Sequence, residues 1–257
     1  MAVKSSRKDG GKRLVQSRLQ ISSRDNLTEC TKCGMTYSPS IIDDTTTHKN
    51  YHEMHLKGKK WPNTWGLGIL LTSSNDSSRL TPPSSSSKMG ALSARDERII
   101  MVRSDHQAEV RTTIHILDIV NSELHAPHNE NEFWCRPNSS GRAFLYVKED
   151  RAVGVLTIEL LKPERCRWMI YEDRSIVDGV EPRFILGISR IWVCRTQRNK
   201  GIATRLLEAA RCNTIYGKTI EKWAMAWSQP TDSGGKLASH YNGVMHKSGK
   251  LLIPCYI

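Results

Sequence analysis

The chain has 257 residues and a formal net charge of +12, with 38% hydrophobic and 25% charged residues. That length suits one substantial core plus a smaller module, in a globular composition with some polar excess. No stretch approaches the roughly 18 consecutive apolar residues that span a bilayer, so neither the composition nor the pattern points to a membrane partner. The seven cysteines are scattered apart from Cys30 and Cys33, which suits a reducing compartment rather than a disulfide framework.

Residues 1–26 read as a disordered basic arm. Between Met1 and Arg24, seven basic residues (Lys4, Arg7, Lys8, Lys12, Arg13, Arg18, Arg24) face one acidic residue, Asp9. The arm lacks the apolar segment of a secretory signal. It reads as a solvated tail whose charge also suits attraction to nucleic acid or an acidic partner, or a nuclear import signal, with the plain solvated tail as the alternative.

Residues 27–65 read as a zinc-finger module. Cys30 and Cys33 fit one tight knuckle, followed by Gly34. His48 and His52 lie one helical turn apart and face one point, so Cys30, Cys33, His48 and His52 form a four-ligand set for tetrahedral Zn2+. His55, a further turn along, is an alternative to His52. So small a module has little apolar core, and metal binding would supply its folding energy. The stretch before the histidines carries Asp43 and Asp44 and no arginine, which fits a structural or protein-contacting finger better than a DNA reader. The run Lys57-Gly58-Lys59-Lys60 with Trp61 is either an exposed linker face or a phosphate contact.

Residues 66–96 read as a Ser/Pro-rich linker, with nine serines and two prolines between Ser73 and Arg95. Residues 97–257 have the pattern of a mixed α/β domain. A strand is expected over 98–103. A helix follows over 108–124, with Ile116, Leu117, Val120 and Leu124 on its apolar face. Residues 143–161 read as a β-hairpin turning near Glu149–Asp150. Further strands are expected over 166–173, 183–195 and 222–228, and a helix over 201–217 closed by Gly217. Trp192, Trp223 and Trp227 fall on strands, as core first and pocket wall second. Asp232, in Pro-Thr-Asp-Ser-Gly-Gly, suits a turn. Lys236 and Tyr241 are candidates for closing the site.

The second chemical constellation is the strand–loop–helix of 188–211. Arg198-Asn199-Lys200-Gly201-Ile202-Ala203 precedes an amphipathic helix. Orphan N–H groups and the positive end of the helix dipole make a pyrophosphate site there. Gly201 and Ala203 keep side chains small, and Arg195, Arg198 and Lys200 add charge. The missing Gly-Lys-Ser/Thr end argues against a nucleotide P-loop. Cys194 is either an acyl carrier or, since no histidine base is evident beside it, a packed strand cysteine.

This loop resembles motif A of the GNAT acetyltransferases. With Gly187–Val193, the run from Ala226 to Gly243 and the upstream finger, the whole chain apart from the linker resembles the establishment-of-cohesion acetyltransferases of fungal type. The resemblance implies an α/β (α+β) GNAT fold, a mixed and mostly antiparallel sheet flanked by helices, preceded by a C2H2-type finger. It implies an acetyl-CoA-dependent lysine N-acetyltransferase acting on an SMC-type cohesin subunit in the nucleus during replication. The cofactor would lie along Ile191, Trp192 and Val193 and at Arg198–Ala203. Ser189 matches a family serine near the reacting lysine. Where animal members carry an aspartate, this chain has Gln229, which cannot act as a base. Asp232 and Glu159 are then the available carboxylates, unless the site has no dedicated base. In the arm, Gln16 and Leu19 resemble the start of a sliding-clamp-binding motif without its aromatic pair. Competing readings are a non-catalytic chromatin-binding protein and a GNAT enzyme with another substrate.

Overall fold

The structure is a computed structural model that describes residues 27–69, 97–126, 133–136 and 139–257. The basic arm, with Gln16 and Leu19, and residues 70–96 lie outside the described residues.

The chain begins with a small hairpin. Strands β1 (Thr28–Glu29) and β2 (Thr36–Tyr37) pair antiparallel around the Cys30–Cys33 knuckle. Gly34, at φ 75°, turns the chain there and donates its N–H to the Cys30 carbonyl at 2.7 Å. Helix α1 (Ile42–Lys57) follows. Asp43 and Asp44 sit in its first turn, where the helix dipole favours acidic groups. Only Met54 and His55 are buried along its length, so docking and the cysteine/histidine cluster hold this helix, not an apolar stripe of its own.

Gly58 ends α1, and β3 (Lys59–Lys60) then pairs antiparallel with Arg151 and Ala152 in the main sheet. Trp61 is fully buried and donates its indole N–H to the Trp65 carbonyl at 3.3 Å. The run 57–61 is therefore a sheet edge closed by a core tryptophan, not an exposed linker. Strand β4 (Leu67–Ile69) pairs with β5 (Glu97–Met101), so these three residues extend the sheet although composition assigns them to the linker.

The main sheet runs β11-β12-β10-β9-β7-β6-β5-β4, with β3 on β7 and β8 on β12. Its members are β6 (Arg142–Lys148), β7 (Arg151–Leu160), β8 (Cys166–Ile170), β9 (Leu186–Val193), β10 (Met225–Ser228), β11 (Val244–Met245) and β12 (Leu251–Tyr256). Pairing is antiparallel except that β10 runs parallel to β9 and β12. Glu149 and Asp150, both at positive φ, make the two-residue turn between β6 and β7. These two strands are apolar almost throughout and buried on both faces, because α2 (Gln107–Leu124) covers one face and α3 (Ile202–Asn213) the other. Trp192 and Arg190 meet α2, whereas Gly154, opposite Val193, meets Ile202 and Leu206 of α3.

Three expectations need correction. Helix α3 stops at Asn213, where the Thr214 hydroxyl bonds back to the Ala210 carbonyl at 2.5 Å; Gly217 serves a separate turn. Residues 222–224 form a 3-10 turn, which leaves Trp223 59% exposed, while Trp192 and Trp227 are buried. Asp232 opens helix α4 (Asp232–Asn242), N-capped by the Thr231 hydroxyl, which accepts the Gly234 N–H at 3.2 Å.

Candidate active site and metal centre

The four residues Cys30, Cys33, His48 and His52 converge, with their ligand atoms all within 4.8 Å of one another. Cys30 Sγ lies 3.4 Å from His52 Nδ1. His48 Nε2 is buried without a hydrogen-bond partner, and Tyr37 stacks on that ring at 3.8 Å. The Cys33 backbone N–H lowers the Cys30 thiol to about 6, which favours the thiolate a metal needs. A buried orphan nitrogen beside two sulfurs fits tetrahedral zinc. His55 is not part of this group. It is fully buried and points to Glu123, with Nδ1 3.2 Å from a carboxylate oxygen.

The second site is built by a parting of strands. β9 and β10 pair only from Leu186–Met225 to Ile188–Trp227. Beyond Ile188 the β10-side edge of β9 has no strand partner among the described residues. Opposite, β7 and β9 shift register so that Ile158 faces Ile188 and Thr157 faces Arg190, leaving Ser189 as the extra residue of a bulge. Unpaired main-chain groups therefore line a V-shaped opening at 189–193, ready for an extended amide-bearing ligand.

Past β9, residues 195–197 make a 3-10 turn, and Asn199 and Gly201 take positive φ of 60° and 75°. Helix α3 starts at Ile202 with no side chain capping its N–H groups. A Cβ on Gly201 would meet nothing within 4 Å, so the space before the helix is open. Free donors and an open mouth make an anion site. The nearby cations are largely turned away from it. Arg198 donates through Nε to the Val193 carbonyl at 2.9 Å and through Nη2 to Glu123 at 2.7 Å. Arg195 reaches the Lys32 carbonyl at 3.4 Å, and Lys200 binds Gln197 at 3.0 Å. The main chain, more than these side chains, supplies the positive potential. Cys194 is buried, which pushes its thiol up, the opposite of what an acyl carrier requires.

On the other side of the opening lies Tyr256, 4% exposed, with its hydroxyl buried and no hydrogen bond of good geometry. Burial, then the Glu159 charge, hold this phenol far above its usual pKa, while Ser189 acts in the opposite sense. Arg165 lies 4.9 Å from the centre of the Tyr256 ring and donates to Glu159 at 2.6 Å. Ser189, Glu159, Tyr256 and Arg165 thus form one polar cluster. Gln229, at φ 31°, and Pro230 border a cleft of about 340 Å3 next to Tyr256. Asp232 stands apart, 94% exposed and ion-paired with Arg174. Lys236 is exposed, and Tyr241 donates to Glu208 of α3 at 2.9 Å as a packing contact between helices. Tyr256, Arg165, Arg190 and Glu123 carry no local motif and emerge only from the fold.

Similarity to known proteins shows the family. Residues 183–249 match the family described as "ESCO1/2 acetyl-transferase", residues 16–54 match "zinc-finger of acetyl-transferase ESCO" and residues 111–212 match "Acetyltransferase (GNAT) family". The N-acetyltransferase ECO1 of Candida glabrata is 52% identical over 256 residues, covering 98% of this chain and 97% of that protein. The chain belongs to the ECO1/ESCO family of N-acetyltransferases. ECO1 of Saccharomyces cerevisiae is 46% identical over 280 residues, covering 100% of this chain and 99% of that protein. A solved xEco2 acetyltransferase domain bound to a lysine–CoA conjugate is 30% identical, with a TM-score of 0.50, covering 63% of this chain and 94% of that one. Membership in the ECO1/ESCO family makes the protein a GNAT-fold enzyme that uses acetyl-CoA, with a zinc-binding finger ahead of it. Among the described residues no helix is long and apolar enough to cross a membrane.

Proposed function

We propose that this enzyme acetylates lysine ε-amines on an SMC-type cohesin subunit in the nucleus, in association with chromatin, and so establishes sister chromatid cohesion during DNA replication. The observation that carries the proposal is the opening of β9 from β10 at Ser189, beside the uncapped N-terminus of α3. The family relatives and the lysine–CoA conjugate held by xEco2 support lysine as acceptor.

In this account the pantetheine arm of acetyl-CoA lies along Ile191, Trp192 and Val193, and the pyrophosphate sits on the main chain of Arg198, Asn199, Lys200, Gly201, Ile202 and Ala203. A lysine with a pKa near 10.4 must first lose a proton, at a cost of about 4 kcal/mol near pH 7.4. The amine then attacks the thioester carbon. Main-chain N–H groups of 191–193 hold the oxyanion, the C–S bond breaks, and the sulfur leaves with a proton. Of the two carboxylates, Glu159 is favoured as proton acceptor over Asp232, because it shares a cluster with Ser189 and the buried Tyr256 hydroxyl. Ser189 orients the amine. Gln16 and Leu19 are assigned to sliding-clamp contact and the basic arm to weak DNA contact.

Transfer of labelled acetyl from acetyl-CoA to a purified cohesin head tests the proposal. Label is expected on head lysines with the wild-type chain and not with Gly201→Asp. Equal labelling by both would remove the cofactor loop from the account, and labelling of other proteins but not the head would remove the substrate.

A further inference from the structure

The zinc-binding unit and the catalytic fold meet at one half-buried carboxylate. Glu123, near the end of α2, has a side chain only 18% exposed. Three elements converge on it. The Trp192 indole N–H, from the end of β9, donates at 2.5 Å. Arg198, from the cofactor loop, donates at 2.7 Å to the other oxygen. His55, in the last turn of α1, has Nδ1 3.2 Å away, at ion-pair distance though off the line of a good hydrogen bond. Burial alone would raise the carboxyl, yet His55, Arg198 and Trp192 together hold it down to about 2. His55 is itself fixed, fully buried and stacked on Tyr51 at 5.1 Å with 14° between the rings.

The same turn of α1 grips the loop directly. The Leu56 carbonyl accepts the Thr196 hydroxyl at 2.6 Å, and Gly58 leads from α1 into β3, which pairs with β7 on the same side as β9. Arg198 meanwhile uses its remaining reach on the Val193 carbonyl at 2.9 Å, pulling the loop back over the end of β9. The loop needs such restraint. It passes through left-handed conformations at Asn199 and Gly201 and gains no capping side chain at α3. A flexible loop would have to give up conformational freedom on binding an anion, whereas a braced one has already done so.

We propose that Glu123 is a positioning residue for acetyl-CoA binding, clamping Arg198 and Trp192 so that the 198–203 main chain is preformed for the pyrophosphate, with His55 holding the clamp from the zinc-binding unit. The inference rests on the assignment of that loop to the pyrophosphate. It gives Arg198 an inward, shaping role instead of a phosphate-contacting one. It also explains why His55 follows the ligand histidines at helical spacing without joining them.

The test uses the full, zinc-loaded chain. Acetyl-CoA affinity is measured by calorimetry for wild type, Glu123→Gln and Arg198→Lys, with zinc content and melting temperature measured alongside. Glu123→Gln keeps the shape of the side chain and removes its charge, and lysine cannot reach both the Val193 carbonyl and Glu123. Losing one charge-assisted hydrogen bond is expected to weaken acetyl-CoA binding by about tenfold in either variant, with zinc content unchanged. Acetylpantetheine, which lacks the pyrophosphate, is the internal control. Its rate as acetyl donor should fall less than the rate with acetyl-CoA, because it makes no contact with the 198–203 main chain and feels the clamp only through Trp192, whereas a general folding defect would slow both donors equally. Unchanged acetyl-CoA affinity in Arg198→Lys, or an equal loss with acetylpantetheine, overturns the proposal. If Glu123→Gln fails to fold, Arg198→Lys alone decides. Gly201→Asp separates the two levels of inference: if it binds acetyl-CoA normally, the loop assignment itself falls, and the clamp with it.

Discussion

Tyr256 lies against the backbone of Gly187. A Cβ placed on Gly187 would come within 2.9 Å of two ring carbons of Tyr256 and 2.7 Å of Leu161. The last strand and the strand that bears Ser189 are therefore locked together where β9 leaves β10. Gly187→Ala is expected to push the Tyr256 ring away from Ser189 and lower kcat by more than it lowers the melting temperature would suggest. Steady-state kinetics and a thermal melt on the same preparation check this. A kcat equal to wild type would show that the placement of the ring does not matter.

Tyr256→Phe removes one buried hydroxyl that has no well-formed hydrogen bond. Stability should change by less than about 1 kcal/mol, because no satisfied partner is stranded. Activity should fall if the hydroxyl serves the acceptor amine. A denaturant titration together with kcat separates the two effects.

The two carboxylates should part company under substitution. Asp232 is exposed and paired with Arg174 at the start of α4, so Asp232→Asn should leave kcat within about twofold, as for an ordinary surface pair. Glu159→Gln should lower kcat by about 100-fold, the range of a lost general base. The reverse order would move the proton acceptor to α4.

Gly58 tests whether the zinc-binding unit and the sheet are one structure. Its φ of 75° and ψ of 172° suit glycine alone, and a Cβ would sit 2.4 Å from the Ala152 carbonyl. Gly58→Ala should destabilise by at least about 2 kcal/mol, seen as a lower denaturation midpoint of the catalytic fold itself. A shift confined to zinc release would mean that β3 is not part of the sheet in solution.

Much of this arrangement was legible in the sequence where chemistry is local. The ligand spacing of Cys30, Cys33, His48 and His52 and the glycine-bearing loop at 201 are short motifs whose geometry follows from knuckle, helix and dipole. Other features depended on distant packing. The Pro230–Gly235 stretch has turn chemistry, yet Gly235 is buried in a helix because its missing side chain lets Tyr171 approach; a Cβ there would lie 3.2 Å from that ring. The strand 251–256 contains Pro254 and has no alternation to mark it, so Tyr256 had no signal. Trp223 looks like core by composition, but the 3-10 turn before β10 turns it outward. Glu123 and His55 are 68 residues apart, and only the fold joins them.

Glu109 sets an acid limit on stability. It is fully buried at the start of α2, where it accepts the Gly66 N–H at 2.8 Å and the Arg103 N–H at 2.9 Å. Burial opposes its charge, but the Arg103 guanidinium and these amides hold the carboxyl below the usual range; His106 also lies 3.7 Å away. A lowered native pKa contributes stability that is complete above the unfolded value of about 4.3 and is lost as pH falls below it. Glu109→Gln should therefore be less stable than wild type by about 2 kcal/mol at neutral pH, and the gap should close on acidification. A gap that widened at low pH would reverse the sign of this assignment.

The central claim is that acetyl-CoA occupies the opening between β9 and β10 and the mouth of α3. Amide hydrogen exchange with and without CoA measures this directly. Exchange should slow at residues 189–193 and 199–203 and stay unchanged in β5 and β6. Protection appearing instead in the cleft of about 590 Å3 between the zinc knuckle and α2, around Tyr51 and His115, would contradict it.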